Sequence, residues 1–95
     1  MINIRVRLLG VLKGFASKNQ LSIELENATV GKLIQALVES LPTEAGKLVI
    51  DPELNDPRPN SLILLNGKEI SVLKGLETEI QEGDEITLIP ISHGG

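Results

Sequence analysis

The chain has 95 residues, a formal net charge of −4 and no cysteine, and 41% of its residues are hydrophobic. This length supports one domain with a modest core, and the core must be aliphatic because Phe15 is the only aromatic residue. The acidic balance argues against direct nucleic-acid binding and favours a partner with a basic surface. The lack of cysteine excludes disulfides, thiolate catalysis and cysteine-ligated metal clusters, including those of plant-type ferredoxins.

The start of the chain gives no sign of a targeting segment. Residues 1–5 contain no basic leader followed by a long apolar run, which a secretory signal would need. No apolar run approaches the length of a membrane-spanning helix. We therefore expect a cytoplasmic protein that does not associate with membranes.

The first half of the chain predicts a strand hairpin followed by a helix. Apolar and polar residues alternate over residues 2–9 and again over 21–26, which is typical of half-buried strands, and the connection between them is expected to be a loop or a short helical turn. Thr29 is predicted to be the N-cap of the following helix. Apolar residues then follow at spacings of three and four, which predicts an amphipathic helix that ends at Pro42. These residues are Val30, Leu33, Ile34, Leu37, Val38 and Leu41.

The second half predicts further strands. Prolines and asparagines in residues 43–60 argue against regular structure at the end of that segment. The length of the segment leaves open whether it is partly helical, functional or mobile. Asn66-Gly67, after the apolar run 62–65, is a strong hairpin signal because both turn positions require positive φ. The last predicted strand covers residues 85–91, with Ile86 and Leu88 on one face and Thr87, Ile89 and Ile91 on the other. The order of elements predicts an α+β fold in which one main helix packs on one face of a mixed sheet of four to five strands. The other face of the sheet is left open to solvent.

The chain closes with His93, Gly94 and Gly95. Glycine has no Cβ, so such an end is thin and can thread a narrow channel to present its carboxylate to a reagent in another protein. The alternative is a frayed end without a role, since chain ends are usually disordered. We expect a domain over residues 1–91 and a flexible segment over 92–95.

Several features together resemble one known family. They are the Thr29–Leu33 helix start, the Asn66-Gly67 turn, the Glu82–Glu85 turn and a final strand that runs through Pro90 into Gly94-Gly95. They resemble the ubiquitin-like β-grasp sulfur carriers of the MoaD/ThiS type over almost the whole chain. Residues 43–60 are longer than that type requires, and Pro90 is followed by Ile91 where the molybdopterin subunit usually has a second proline. The His-Gly-Gly end is most similar to the ubiquitin-related modifier and the small archaeal modifiers.

The resemblance implies a function for the end of the chain. In that family an enzyme of the ubiquitin-activating type uses ATP to adenylate the terminal carboxylate, here that of Gly95, with Gly94 as the slim residue behind it. The product becomes a thiocarboxylate for sulfur transfer or is joined to a lysine. The chain would then be a substrate rather than an enzyme, with no permanently bound cofactor. The acceptor stays open between a pterin precursor, a thiamine precursor, a tRNA uridine and a protein lysine, with a large synthase subunit or a tRNA thiolase as further partners.

The sequence also predicts a docking surface on the open side of the sheet. Exposed isoleucines on a sheet face would form an apolar patch that needs an explanation. The candidate partner-binding residues are Ile89, Ile91, Arg5, Arg7 and Leu9, with His93 as a recognition residue of the end segment. The alternative is that the long segment 43–60 covers both isoleucines and that the arginines are an ordinary solvated face.

Three other features of the sequence are also considered as possible sites or core residues. An acidic run is either solvated surface or steers the chain toward a basic partner; its members are Glu77, Glu79, Glu82, Asp84 and Glu85. His93, without cysteine or a carboxylate at ligand spacing, is a poor metal signal, and Phe15 is expected in the core. A β-grasp adaptor that binds partners without covalent chemistry is the competing function, because a fold alone does not establish a reaction.

Overall fold

The computed structural model describes residues 1–51 and 53–91, which contain one five-stranded sheet and two α-helices. The elements in chain order are β1 (Ile2–Leu8), β2 (Gln20–Leu25), α1 (Val30–Ser40), α2 (Thr43–Val49), β3 (Ser61–Leu65), β4 (Lys68–Glu69) and β5 (Glu85–Pro90). Short 3-10 segments lie between them at Gly10–Phe15, Ser17–Asn19, Ile70–Val72 and Gly75–Glu77. Across these described ranges, no helix is long and apolar enough to cross a membrane.

The strand order is β2-β1-β5-β3-β4. The predicted hairpin of β1 and β2 is confirmed by their antiparallel pairing, with Ile4 opposite Ile23. β5 pairs in parallel with β1 and antiparallel with β3, so the sheet is mixed as predicted. The last strand of the chain therefore lies at the centre of the sheet.

Helix α1 packs on one face of this sheet. The hydroxyl of Thr29 accepts a hydrogen bond from the Lys32 amide at 3.2 Å, which confirms the predicted N-cap. Four side chains of the helix are buried in the core: Val30, Leu33, Ile34 and Leu37. The helix ends where Leu41 adopts an extended conformation, which is the conformation that a following proline imposes.

The core between the sheet and α1 is aliphatic, as the composition requires. Ile4, Val6 and Leu8 of β1 and Ile86 and Leu88 of β5 are fully buried there. The prediction that Phe15 lies in the core is wrong, since this side chain is 41% exposed. It ends the 3-10 segment Gly10–Phe15, and within that segment only Leu12 is buried.

Residues 43–60 are helical in their first part, and the described residues at their end have no helix or strand, as their prolines and asparagines predict. Helix α2 occupies the first seven of them and packs against α1, with Gly46 against Val38. A Cβ atom at Gly46 would lie 3.1 Å from Cγ1 of Val38, so a side chain there would crowd the contact.

The rest of that segment is held by carboxylates that bind backbone amides. Asp51 accepts hydrogen bonds from the amides of Glu53 and Leu54 at 2.9 and 3.0 Å. Asp56 accepts from the Arg58 amide at 2.8 Å and from its guanidinium Nε at 3.0 Å. The guanidinium hydrogen bond holds the pKa of Asp56 below its ordinary value of 3.8.

The predicted Asn66-Gly67 hairpin turn is confirmed, with φ of 49° and 86° at the two positions. The return strand β4 ends at Glu69, and the buried Ile70 begins a 3-10 segment.

Candidate functional site

The predicted reactive end of the chain, His93, Gly94 and Gly95, lies outside the described residues. The structure does describe the place from which that end leaves the domain. Ile91, the last described residue, follows β5, and its amide donates a hydrogen bond to the carbonyl oxygen of Asn60 at 2.8 Å. The Ile91 side chain is 44% exposed and Pro90 is half-buried. The position at which residues 92–95 begin is therefore fixed relative to the sheet.

The side of the sheet away from α1 is called the open face here. The parallel register places Arg5 beside Glu85 and Arg7 beside Thr87 on this face. The Nη1 atoms of Arg5 and Arg7 lie 3.4 and 3.7 Å from the two carboxylate oxygens of Glu85. Both arginine side chains are exposed. Two guanidinium groups share one carboxylate here, so this group of three side chains has one more positive than negative charge.

The apolar members of the predicted docking surface are less exposed than the arginines. Ile89 is half-buried on the open face, and Leu9 is half-buried where β1 ends, with its amide bound to the Leu88 carbonyl at 3.0 Å. The alternative was that segment 43–60 covers both isoleucines. For Ile91 this is wrong, because Asn60 binds only its backbone amide and its side chain is exposed. The structure thus places Arg5, Arg7 and Ile89 on one face, with Leu9 and Ile91 at its end.

Two further residues of this face were not predicted from the sequence. In β3, Leu62 lies opposite Ile89 and Leu64 lies opposite Thr87, and both leucines are half-buried. With Ile89 they form a continuous apolar strip beside the two arginines. The alternation that places them on the open face was hidden in the uninterrupted run Leu62–Leu65, because every residue of that run is apolar.

The acidic run is in large part structural. An oxygen of Glu82 accepts a hydrogen bond from the Asn3 amide at 3.0 Å, and Glu85 pairs with the two arginines. Asp84 accepts from the Asn66 side chain at 3.0 Å and from the Gln81 amide at 2.8 Å. These contacts fix the turn that leads into β5. Over residues 1–51 and 53–91, no group of three histidine, cysteine or acidic side chains is placed to hold a metal ion.

Comparison with known proteins gives consistent results over nearly the whole chain. A sequence model of the ThiS family matches residues 6–95. A protein of Archaeoglobus fulgidus named as a sulfur carrier is 37% identical over 83 residues, which cover 84% of this chain and 91% of that protein. Small archaeal modifier protein 3 of Haloferax volcanii is 33% identical over 70 residues, which cover 74% and 73% of the two chains.

The solved structures agree with this result. The solution structure of Urm1 from Trypanosoma brucei matches with a TM-score of 0.76 at 25% identity, over 98% of this chain and 95% of that one. The predicted ubiquitin-like β-grasp fold and the predicted resemblance to carriers and modifiers are both confirmed.

Proposed function

Because the chain belongs to the ThiS family, we propose that it is a sulfur carrier or ubiquitin-like modifier whose Gly95 carboxylate is activated by a partner enzyme. The observation that carries this proposal is the extent of the family match, which runs through residue 95 and so includes Gly94 and Gly95. Relatives named as a sulfur carrier and as a modifier support both uses of the same end. The chain itself is the carrier, and catalysis belongs to its partners.

The chemistry requires activation because a carboxylate is a poor electrophile. An oxygen of the Gly95 carboxylate attacks the α-phosphorus of ATP, and pyrophosphate leaves. The resulting acyl adenylate has AMP as a good leaving group. A hydrosulfide equivalent then displaces AMP at the carbonyl carbon to form a thiocarboxylate, or a lysine amine displaces it to form an isopeptide bond. ATP is bound by the enzyme, and the chain needs no cofactor of its own.

The domain supplies the binding energy that the end segment lacks. Ordering backbone costs about 1–2 kcal/mol per residue, so holding residues 92–95 in an active site costs on the order of 4–8 kcal/mol. Fully burying an aliphatic side chain contributes about 1.5–3 kcal/mol, and the strip of Leu62, Leu64 and Ile89 is already half-buried. Several side chains must therefore act together. We assign this docking to the strip with Arg5, Arg7, Leu9 and Ile91, and His93 to recognition of the end segment.

Intact mass spectrometry tests the carrier reaction. The chain is incubated with the activating enzyme from the same genome, ATP and sulfide, and the expected product has one oxygen replaced by sulfur. A chain without Gly95 is the matched control and must remain unchanged. A wild-type mass that never shows this exchange contradicts the carrier proposal. If deleting Gly95 leaves cellular activity untouched, the non-covalent adaptor is the correct function.

The modifier reaction has its own signature. Lys74 is the last lysine or arginine in the chain, so tryptic digestion of a conjugate leaves the long branch 75–95 on the target lysine. If no cellular protein carries this branch, the modifier function is excluded and the carrier function is unaffected. Co-purification identifies the acceptor, because a large molybdopterin-synthase subunit, a tRNA thiolase and a deconjugating protease each indicate a different one.

A further inference from the structure

A concave surface lies beside the point at which residues 92–95 leave the domain. A groove of about 500 Å³ is formed by the start of the 3-10 segment Gly10–Phe15, by α2 and by the end of β5. It is called the terminal groove here. Three exposed apolar side chains line it: Val11 at 66%, Leu48 at 43% and Ile91 at 44% exposure. Lys47, also exposed, is the one charged residue in its lining among the described residues.

The walls of the terminal groove are held by backbone contacts. The Asn60 side-chain amide donates to the Lys47 carbonyl at 3.3 Å, and the Asn60 carbonyl accepts from the Ile91 amide at 2.8 Å. Asn60 thus joins α2 to the end of β5. On the other side, Gly10 has a φ of +61°, and a Cβ atom there would lie 3.6 Å from Cδ of Pro90. These contacts fix the backbone on two sides of the groove.

The position of the groove indicates which protein would bind there. Residues 92–95 follow Ile91, and four residues span at most about 14 Å even when fully extended. An enzyme that reacts with Gly95 must bring its active site within that distance of Ile91, and so its surface must lie against this end of the domain. Large exposed apolar side chains that surround a groove at such a place indicate a protein contact.

We propose that the terminal groove receives a large apolar side chain of the enzyme that adenylates Gly95, and that an acidic residue of the enzyme beside it pairs with Lys47. This inference rests on the proposed function, and it adds a contact that meets the open-face surface only at Ile91. The charge follows from the lining, because the groove presents a cation within a chain of net charge −4. A carboxylate on the enzyme is repelled by the acidic domain as a whole and is attracted at this place.

Steady-state adenylation kinetics test the inference with the activating enzyme from the same genome. Leu48→Glu and Val11→Glu each place a negative charge in the groove, at positions that are 43% and 66% exposed. Val72→Glu is the matched control, because Val72 is 74% exposed and lies outside the groove lining. We expect kcat/KM to fall at least tenfold in the groove variants, mainly through KM for the carrier, and to stay within twofold of wild type in the control. Lys47→Glu should also raise KM, by several-fold.

The outcomes separate the two proposals. If the wild-type chain is adenylated and Leu48→Glu reacts equally well, the inference is wrong and the proposed function stands. If the wild-type chain is not adenylated at all, the proposed function fails and the inference fails with it. Circular dichroism and thermal melting of each variant confirm that reactivity, and not folding, has changed.

Crosslinking provides a readout independent of the reaction. The chain contains no cysteine, so Leu48→Cys and Val72→Cys each create a unique site for a thiol-reactive benzophenone probe. We expect illumination to join the chain to the activating enzyme from position 48 and not from position 72. A crosslink from position 48 to a second copy of the chain, or equal crosslinking from both positions, overturns the inference.

Discussion

The amide of Ile91 donates to the carbonyl oxygen of Asn60 at 2.8 Å, just beyond the last residue of β5. This contact joins the end of the central strand to the residue that precedes β3. It determines where the four residues that carry the proposed chemistry leave the domain. Asn60 also binds α2 through its side chain, so this residue connects three segments at one end of the sheet.

Replacing Ile91 by proline tests the strength of that anchor. Proline has no amide hydrogen, so Ile91→Pro removes the bond, whereas Ile91→Ala keeps the bond and shortens only the side chain. We expect Ile91→Pro to be less stable than Ile91→Ala by about 0.5–1.5 kcal/mol, the usual contribution of one hydrogen bond. Urea denaturation measures the difference. Equal stability of the two variants would mean that the bond does not hold the strand end.

The N-cap of α1 offers a second stability test. Thr29→Ala removes the hydroxyl that accepts from the Lys32 amide, and loss of such a cap costs about 0.5–2 kcal/mol. Thr29→Ser keeps the hydroxyl and is expected to stay much closer to wild type. Thermal or urea unfolding of both variants distinguishes loss of the cap from loss of the methyl group. The cap assignment is wrong if the serine variant is as unstable as the alanine variant.

The contact between α1 and α2 predicts that Gly46→Ala destabilises the wild-type domain but stabilises a variant with a smaller residue at position 38. Gly46→Ala gains about 0.5–1 kcal/mol from helix propensity, but the new methyl group would lie 3.1 Å from Val38 Cγ1, and overpacking typically costs about 1–3 kcal/mol. We therefore expect net destabilisation in the wild-type background. In a Val38→Ala background the crowding is gone, and the same substitution should stabilise. A double-mutant cycle in urea measures both effects, and additivity would exclude the contact as the cause.

The Asp56–Arg58 pair predicts that the folding stability of the domain depends on pH in the acidic range. The guanidinium hydrogen bond lowers the folded-state pKa of Asp56 below its ordinary value of 3.8, so the pair stabilises the fold above that pH, and this contribution is lost as the pH falls through the folded-state pKa. Asp56→Asn should be slightly less stable than wild type at pH 7, and the difference should narrow below pH 3.8. The midpoints of urea unfolding, measured for both proteins across this pH range, test this prediction. The stability difference between Arg58→Gln and wild type should change with pH in the same way.

The arginines of the open face predict a salt-dependent effect on activation. Arg7→Gln removes one of the two guanidinium groups that share Glu85, and Lys68→Gln removes the same charge from the short edge strand β4. We expect the adenylation rate at low enzyme concentration to fall several-fold for Arg7→Gln, less so at high ionic strength, and little for Lys68→Gln. Equal effects of both substitutions would show that only net charge matters.

The sequence predicted those elements whose structure is determined by residues close to one another in the chain. Helix α1 was predictable because Thr29 and the apolar spacing act within one element, and the Asn66-Gly67 turn was predictable because its φ angles select those two residues. Helix α2 was not, since it is too short to carry a strong periodic signal and is bracketed by prolines. Phe15 was placed in the core from its residue type alone, although burial depends on what packs over it.

The candidate site was harder to predict because it joins distant parts of the chain. The open-face position of Leu62 and Leu64 follows from pairing with β5, which no local pattern reveals. The terminal groove requires α2, the 3-10 segment after β1 and the end of β5 to meet. Contacts between residues that lie far apart in the chain are the part of a fold that is hardest to predict from a single sequence.

The parallel neighbours β1 and β5 have a mechanical consequence. A force that pulls at Ile2 and at Ile91 acts along two adjacent strands in opposite directions, and it loads their evenly spaced hydrogen bonds in shear, all at once rather than one after another. The domain is therefore expected to resist extension from its two ends more strongly than extension through the β3–β4 hairpin, whose bonds open singly. Single-molecule force measurements with different attachment points would reveal this anisotropy. A processive unfolding machine that engages the end segment would meet the most resistant strand first.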